Sequence, residues 1–271
     1  MSESPPPVAA FAAEPEIAVA TFGLTKTYGT FAAVSNLDLR VRRGTFFGFL
    51  GPNGAGKSTT IKMLSGLLLP TAGSAFVAGH DVVRDALAVK AAIGVLPEDA
   101  TTYERLTARE TLDFTGRMRA LPRPEVDRRS KELLDLMEFS AAERDRLVVD
   151  FSTGMKKKIA LAAALIGNPR VLFLDEPFSG IDAVTARAIR LTLQSLTAKG
   201  VTIFFSSHIL ELVEKLCTEI AILHKGVLRA QGTLPEIRAA LALGEGAPLE
   251  EAFVRIVGER SEGRGELSWI G

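Results

Sequence analysis

The spacing of apolar residues along the chain predicts two kinds of β-strand. Apolar and polar residues alternate over 17–22 and 34–41, which indicates antiparallel strands with one face exposed. Continuous apolar runs occupy Phe46–Leu50, 171–174 and 201–205, and such runs are typical of strands buried on both faces of a parallel sheet. We therefore expect a parallel central sheet and a separate antiparallel side sheet.

Shorter strands and helices complete this pattern. Strand signals are also present at 75–78, Ile93–Leu96, 219–223 and 226–230, the last two as a hairpin. Helical spacing of apolar residues follows Thr60, spans Ala183–Ala198 and continues through 233–257. Because buried strands alternate with helices, the predicted fold class is α/β, with a mostly parallel sheet and an antiparallel β side sheet.

One long stretch interrupts the alternation of strands and helices. It is mostly charged and helical, and Pro122 and Pro124 break its helical pattern, so it is predicted to be an inserted α-helical subdomain. The predicted division is a disordered leader at 1–15, the core with its side sheet at 16–98 and 169–232, the inserted subdomain at 99–168, and a C-terminal helical tail at 233–271.

Composition excludes several functional classes. Lys and Arg number 32, and so do Asp and Glu, so no basic surplus favours nucleic acid and no nucleic-acid partner is expected. We interpret the lysine run 156–158 as a solvated helix face. The one cysteine, Cys217, cannot form an intramolecular disulfide, and its apolar context favours a small buried side chain over a reactive thiol.

The chain also lacks the apolar segments of membrane-spanning or secreted proteins. No apolar run approaches the ~18 residues that a spanning helix needs. The N-terminus has a glutamate and a proline run where a signal peptide has basic residues. We therefore expect a cytoplasmic chain.

A glycine-rich loop follows the first buried strand. It matches the pattern G-x-x-x-x-G-K-[ST] of a P-loop, so the α/β domain is predicted to be a P-loop NTPase core. The loop consists of Gly51, Pro52, Asn53, Gly54, Ala55, Gly56, Lys57, Ser58 and Thr59. The glycines let successive N–H groups turn toward phosphate oxygens, and the helix that follows adds the positive end of its dipole. Lys57 is expected to reach the β- and γ-phosphates of a nucleotide, and the Ser58 hydroxyl to bind Mg²⁺.

Acidic residues and a histidine follow the next two buried strands. Asp175 and Glu176 come directly after 171–174, and ligand sites of α/β sheets form at such strand ends. Asp175 is predicted to complete the Mg²⁺ site, and Glu176 to act on a water molecule as general base. His208 follows 201–205 at the same edge of the sheet, where it is placed to hold a γ-phosphate.

With these residues in place, further motifs resemble the ATP-binding cassette (ABC) ATPases, specifically the nucleotide-binding subunit of ABC transporters. Residues 151–155 resemble the ABC signature, and 179–182 resemble the D-loop. Tyr28 resembles the aromatic residue that stacks on adenine. The resemblance covers about residues 17–257, nearly the whole chain.

The resemblance implies a head-to-tail pair of cassettes with ATP and Mg²⁺ between them. Each ATP is then expected to contact Lys57, Ser58, Asp175, Glu176 and His208 of one subunit and Ser152, Gly154 and Asp182 of the other. Catalysis is assigned to Glu176, His208 and Lys57.

Three residues depart from the family's usual pattern. Thr153 replaces a glycine of the signature and Met155 replaces its glutamine, whereas Ser152 and Gly154 are kept. Glu98 stands where the family usually has glutamine. Its carboxylate can still ligate Mg²⁺ or position water, but the added negative charge is expected to alter coupling or metal affinity.

These departures, together with 96–112 and 249–253, resemble cassettes of the ABC-2 export type. The implied function is ATP hydrolysis that powers export through a separate integral-membrane permease, with the cassette held on the cytoplasmic face beside a second copy or a paralogue. One alternative is a soluble ABC ATPase of translation, repair or iron–sulfur assembly, which the single P-loop and the lack of zinc cysteines disfavour. Another is a binding-only scaffold, which Glu176 and His208 disfavour.

Overall fold

The structure is a computed structural model that describes residues 16–99 and 103–258. The strands of this part of the chain are β1 Ile17–Tyr28, β2 Phe31–Arg42, β3 Phe46–Leu50, β4 Ala72–Val77, β5 His80–Asp81, β6 Ile93–Leu96, β7 Val171–Asp175, β8 Thr202–Ser207, β9 Glu219–His224 and β10 Val227–Gly232. Its helices are α1 Lys57–Leu64, α2 Ala86–Ala92, α3 Ala108–Met118, α4 Arg123–Leu136, α5 Ala141–Arg144, α6 Thr153–Leu165, α7 Ala183–Ala198, α8 Leu210–Leu216, α9 Leu234–Ala240 and α10 Leu249–Val257, with a 3₁₀ turn at Val148–Asp150. The predicted leader at 1–15 and the last residues of the predicted tail lie outside the described residues.

The main sheet has six strands in the order β10-β9-β3-β8-β7-β6. All are parallel except β10, which pairs antiparallel with β9. The parallel register places Leu50 beside Ser207 and Asp175 beside Ser206. The carboxyl ends of β3, β7 and β8 therefore meet at one edge of the sheet, and the predicted α/β class is confirmed.

Strand β3 separates two hydrophobic cores. Phe46 and Leu50 pack with helices α6 and α7 on one face of the main sheet, whereas Phe47 and Phe49 pack toward the side sheet on the other. All five residues of β3 are buried, as its continuous apolar run predicts. A fully buried Phe contributes about 1.5–3 kcal/mol to folding relative to an exposed one. Both cores therefore hold β3, and the loop that follows it, in place.

The side sheet is antiparallel and has the order β2-β1-β4-β5. Burial alternates from Leu37 to Arg42 along β2, as predicted. The expectation of a half-exposed strand at 17–22 is wrong for β1, because residues 18–21 are all buried. Ala20 packs against Phe76 on the face opposite the main core.

Helices α3 to α6 occupy the charged stretch between β6 and β7. Thr107 begins α3 with a capping box, in which its side chain accepts from the Glu110 backbone N–H and the Glu110 carboxylate accepts from the Thr107 N–H. Pro122 and Pro124 begin α4 rather than break a helix. Proline is tolerated there because the first turn needs no donated N–H.

The C-terminal part contains two helices instead of one. The predicted helix through 233–257 is wrong at its centre, because α9 ends at Ala240 and α10 begins at Leu249. Gly244, Gly246 and Pro248 lie between them and disfavour a continuous helix. Both helices pack on the core, since Ile237, Leu249 and Ala252 are buried in the same cluster as β3. Among the residues that the structure describes, no helix has the length and apolar character needed to cross a membrane.

Candidate nucleotide-binding site

The glycine-rich loop connects the end of β3 to the start of α1. Two of its glycines are required by close packing. A Cβ on Gly56, whose φ is +105°, would lie 2.4 Å from the carbonyl oxygen of Ala33. A Cβ on Gly51 would lie 2.4 Å from the carbonyl oxygen of Leu223. The loop is therefore held between the side sheet and β9, and this close packing admits only glycine at both positions.

Lys57, the first residue of α1, is buried beneath this loop. Its Nζ donates to the carbonyl oxygens of Gly51 at 2.8 Å and Pro52 at 3.4 Å. The same Nζ lies 3.6 Å from Oε1 of Glu176. The ammonium thus lies between the loop backbone and the acidic end of β7, at the positive end of the α1 dipole.

Glu176 follows β7 in a strained conformation. Its φ of 48° lies in the left-handed region, which is unfavourable for a residue with a side chain. The side chain is buried, and Oε2 lies 2.9 Å from Nδ1 of His208. Oε1 has no hydrogen-bond partner among the described residues. One carboxylate oxygen is therefore fixed by the imidazole, and the other is buried 3.6 Å from the Lys57 ammonium.

Asp175 is the last residue of β7 and is buried. Its Oδ1 accepts a hydrogen bond of 2.6 Å from the Ser206 hydroxyl. The Ser206 oxygen in turn accepts from the Glu176 N–H at 3.1 Å. Sequence reasoning missed Ser206. Its signal in the sequence is its position directly after the apolar run 201–205, where a polar residue still belongs to β8.

The glycine-rich loop lines a cavity, called the loop cavity below, of about 390 Å³. This size is within the range of small-molecule sites. Its walls are Tyr28, Phe31, Ala33, Asn53, Gly54, Ala55, Gly56, Lys57, Ser58, Thr59, Glu98 and Glu176. The sequence prediction included Tyr28 but missed Phe31, which comes after a two-residue turn. Both rings are exposed at the cavity mouth, and Lys26 Nζ lies 5.3 Å from the Tyr28 ring centre.

The donors around this cavity suit a nucleotide with Mg²⁺. Ser58 and Glu98 line the cavity and present oxygen atoms, the ligands that Mg²⁺ prefers. Within the described ranges, no cluster of three or more His, Cys, Asp or Glu residues can hold a metal ion by itself. Protein Mg²⁺ sites of this kind rely on one or two carboxylates plus phosphate oxygens. The residues present therefore fit a metal ion that arrives with its nucleotide.

The lining does not include four of the residues predicted for the same subunit, namely Gly51, Pro52, Asp175 and His208. The three contacts predicted for a partner subunit, Ser152, Gly154 and Asp182, also lie outside it. Ser152 begins α6, and its Oγ accepts from the Met155 N–H at 3.3 Å. Asp182 begins α7 and accepts from the N–H groups of Val184 and Thr185, both at 2.9 Å. The hydrogen bonds from Thr185 lower the pKa of the Asp182 carboxyl.

The signature and the D-loop contact each other within the chain. A Cβ on Gly154 would lie 3.0 Å from Thr185 Oγ1, so the start of α6 lies close against the start of α7. Gly154 therefore has a packing role in addition to any contact with a second subunit. This packing places the signature next to the start of α7, and neither segment lines the loop cavity.

The prediction that the lysine run 156–158 is a solvated helix face is wrong for Lys157. Lys157 is only 4% exposed, whereas a solvated face was predicted. Its Nζ donates to the carbonyl oxygens of Glu176 and Ser179, both at 2.7 Å. Burial lowers the pKa of the Lys157 ammonium. Lys156 and Lys158, by contrast, pair at the surface with Glu104 at 2.9 Å and Glu138 at 3.8 Å.

Comparisons with known proteins identify the family of this chain. A family model described as ABC transporter matches residues 34–179. The daunorubicin resistance ATP-binding protein DrrA3 of Streptomyces coeruleorubidus is 40% identical over 83% of this chain and 71% of its own length. The linearmycin resistance ATP-binding protein LnrL of Bacillus subtilis is 37% identical over 80% of this chain and 70% of its own.

Solved structures give the same result. An ATP-binding subunit of an ABC transporter superposes with a TM-score of 0.82 at 32% identity and covers 88% of this chain and 99% of its own. A dimeric ATP-binding cassette in a post-hydrolysis state, bound to ADP and Pi, superposes with a TM-score of 0.74 at 25% identity and covers 80% of this chain and 98% of its own. The family model alone spans more than half of the residues, so the chain belongs to the ABC transporter family and is an ATP-binding subunit whose ATPase activity powers transport.

Proposed function

We propose that this subunit powers export through a separate membrane permease, as one of a head-to-tail pair of cassettes. The observation that carries the proposal is the Glu176 carboxylate, held between Lys57 and His208 beside the loop cavity. The names of the relatives, which refer to resistance to daunorubicin and linearmycin, support export as the direction of transport. These names also favour amphipathic drug-like cargo.

The loop cavity is proposed to bind ATP through its backbone and a few side chains. The N–H groups of the loop and the Lys57 ammonium would hold the phosphates, and Tyr28 with Phe31 would contact the adenine ring. Ser58, Asp175 and Glu98 would hold Mg²⁺, which neutralises developing phosphate charge when it is bound. The negative charge of Glu98 is expected to strengthen the hold on the cation relative to a glutamine.

Hydrolysis is assigned to the residues at the end of β7 and β8. Glu176 Oε1 would take the proton of the attacking water, because it is the carboxylate oxygen that lacks a hydrogen-bond partner among the described residues. His208 keeps the carboxylate in one orientation through Oε2. Lys57 offsets its negative charge from the opposite side.

The second cassette is proposed to complete each site with Ser152, Gly154 and Asp182. Two observations support this assignment. These residues lie at the neighbouring starts of α6 and α7 and do not line the loop cavity, and a dimeric cassette has the same fold as this chain. The start of α6 presents free backbone N–H groups and the positive end of a helix dipole, which suits a phosphate of the partner's nucleotide.

An apolar groove is proposed as the docking site for the permease. The groove has a volume of about 620 Å³ and lies between β6 and the end of α3. Leu67, Leu87 and Met118 line it and are 69%, 84% and 72% exposed. Arg119 Nη1 donates to the Lys90 carbonyl oxygen at 2.7 Å and joins the two walls.

The proposed occupant of this groove is a short amphipathic helix on the cytoplasmic side of the permease. Apolar side chains of such a helix would enter between Leu87 and Met118, which fits the common helix-in-groove mode. Lys90 at the rim suits an acidic residue of the helix. A helix bound here would contact both β6 of the main sheet and the end of α3. A movement of either element would therefore move the bound helix of the permease.

Co-expression with the permease tests this assignment. Leu87→Glu and Met118→Glu should abolish co-purification of the polytopic membrane protein while ATP binding by the subunit stays unchanged. Val254→Glu is the control, because Val254 is also an exposed apolar residue, at 57%, but lies on α10. Unchanged co-purification of both groove variants would reject the docking site. ATP-dependent accumulation of daunorubicin in inside-out vesicles tests export, and accumulation only in right-side-out vesicles would reverse the direction.

A further inference from the structure

We propose that Lys157 and Ser206 are positioning residues that hold the two peptide groups flanking Glu176, one on each side, and so orient its carboxylate. Neither residue lines the loop cavity. Both act through the backbone of Glu176. The inference rests on the proposed function, because it matters for catalysis only if Glu176 is the general base.

The Glu176 backbone needs such support. A residue with a side chain at a φ of 48° is strained, and it keeps that conformation only where its surroundings fix it. Relaxation of the backbone would rotate the carboxylate away from His208 and Lys57. The groups that bond the Glu176 N–H and carbonyl oxygen therefore decide where its side chain points.

Ser206 holds the amino side of this residue. Its hydroxyl is fully buried and accepts from the Glu176 N–H at 3.1 Å. The same hydroxyl donates to Asp175 Oδ1 at 2.6 Å. The β7–β8 register pairs Asp175 with Ser206, so the hydroxyl lies at the level where the strand ends and the turn begins. One side chain thereby fixes both acidic residues of the site.

Lys157 holds the carbonyl side. Its ammonium donates to the Glu176 carbonyl oxygen and to the Ser179 carbonyl oxygen, and the two bonds span the turn after β7. Burying an ammonium is costly unless it is paired or hydrogen-bonded. Two carbonyl acceptors and the nearby charges of Glu176, Glu98, Asp175 and Asp99 offset that cost.

The position of Lys157 on α6 gives this contact a second consequence. Lys157 lies in the same first turns of α6 as Ser152 and Gly154, which are assigned to the partner's nucleotide. Helix α6, which is assigned to face the partner's nucleotide, therefore also donates hydrogen bonds to the turn after β7 that carries Glu176. A displacement of α6 would change the aim of Glu176.

The test compares the two residues that bond the Glu176 backbone with their sequence neighbours, in the assembled transporter. Lys157→Met removes the hydrogen bond to the Glu176 carbonyl oxygen, and Ser206→Ala removes the bond from its N–H. Lys156→Met and Ser207→Ala are the matched controls. Lys156 pairs only at the surface with Glu104, and the Ser207 hydroxyl accepts from Ile209 N–H at 2.9 Å. Lys157→Arg keeps a charged donor. ATP turnover, ATP affinity of the subunit and thermal unfolding are measured for each.

Both single variants should lose about ten- to a hundredfold in kcat, because a small misplacement of a catalytic group has effects of this size. The Kd for ATP should stay near that of the wild type, and Lys157→Arg should recover part of the lost turnover. The double variant should lose less than the product of the two single losses, because both residues support the backbone of the same residue, Glu176. A merely structural role would instead lower the unfolding temperature, leave kcat of the folded fraction intact and show no recovery with arginine.

Wild-type kcat in both Lys157→Met and Ser206→Ala, with Glu176→Gln inactive, would overturn the inference and leave the proposed function standing. Normal hydrolysis by Glu176→Gln would instead overturn the role of Glu176. If Lys157→Met does not fold, the comparison of Ser206→Ala with Ser207→Ala decides the outcome. Equal turnover in that pair rejects the inference.

Discussion

His208 Nδ1 lies 2.9 Å from Glu176 Oε2, although the two residues are 32 positions apart in the chain. Parallel pairing of β7 with β8 brings them together, because each follows the carboxyl end of its strand. The histidine side chain is half exposed, whereas the glutamate is buried. This pairing fixes the carboxylate from its solvent side and leaves the inner oxygen for chemistry.

Glu176→Gln should therefore abolish turnover and retain ATP. The amide keeps the shape of the side chain but cannot take a proton, and loss of a general base typically costs about 10²–10⁴-fold in rate. ATP affinity should stay equal or rise, because the negative charge near the phosphates is removed. Phosphate release and equilibrium binding of labelled ATP measure the two effects. Hydrolysis at the wild-type rate would exclude Glu176 as the base.

Lys57→Ala should weaken ATP binding rather than turnover alone. The ammonium bonds the loop carbonyl oxygens of Gly51 and Pro52 and is assigned to the phosphates. Lys62→Ala is the control, since Lys62 is an exposed cation in the last turn of the same helix. Equilibrium dialysis with ATP compares the two variants. Equal affinity for both would show that Lys57 does not bind the nucleotide.

Much of this site was predictable because its signals are local. The apolar run Phe46–Leu50 predicts β3 to the residue, and the glycine pattern after it predicts the loop and the start of α1. The position of Asp175 at a strand end likewise follows from neighbouring residues. Wherever the element and the motif share one short segment, sequence reasoning and structure agree.

Sequence reasoning missed the residues whose roles depend on contacts with another element of the fold. Lys157 stands in a run of three lysines, and only the packing of α6 against the turn after β7 buries the middle one. Ser206 gains its role from the β7–β8 register. Phe31 reaches the cavity because a hairpin returns it beside Tyr28. Such partners lie far away in the chain, so periodicity carries no information about them.

Alanine at Gly56 should be far more damaging than alanine at Gly54. Both glycines have positive φ, so either substitution introduces strain of about 1–2 kcal/mol. A Cβ at Gly56 would also lie 2.4 Å from the Ala33 carbonyl oxygen, whereas nothing lies within 4 Å of a Cβ at Gly54. Thermal unfolding and ATP binding of Gly56→Ala should both fall further. Equal losses in the two variants would show that strain, not contact, governs the loop.

Cys217 should resist alkylation until the chain unfolds. Burial raises the pKa of its thiol, so the reactive thiolate is scarce even at mildly alkaline pH. The sulfur lies against β3, where a Cβ on Gly48 would be 2.9 Å from Sγ. Iodoacetamide at pH 8 should therefore label the folded chain slowly, and urea should restore the rate of a free thiol. Rapid labelling of the folded chain, with no change in urea, would contradict both the burial of the sulfur and its fit against Gly48. Because α8 ends at the residue before Cys217, the labelling rate also reports local opening of α8 from the main sheet.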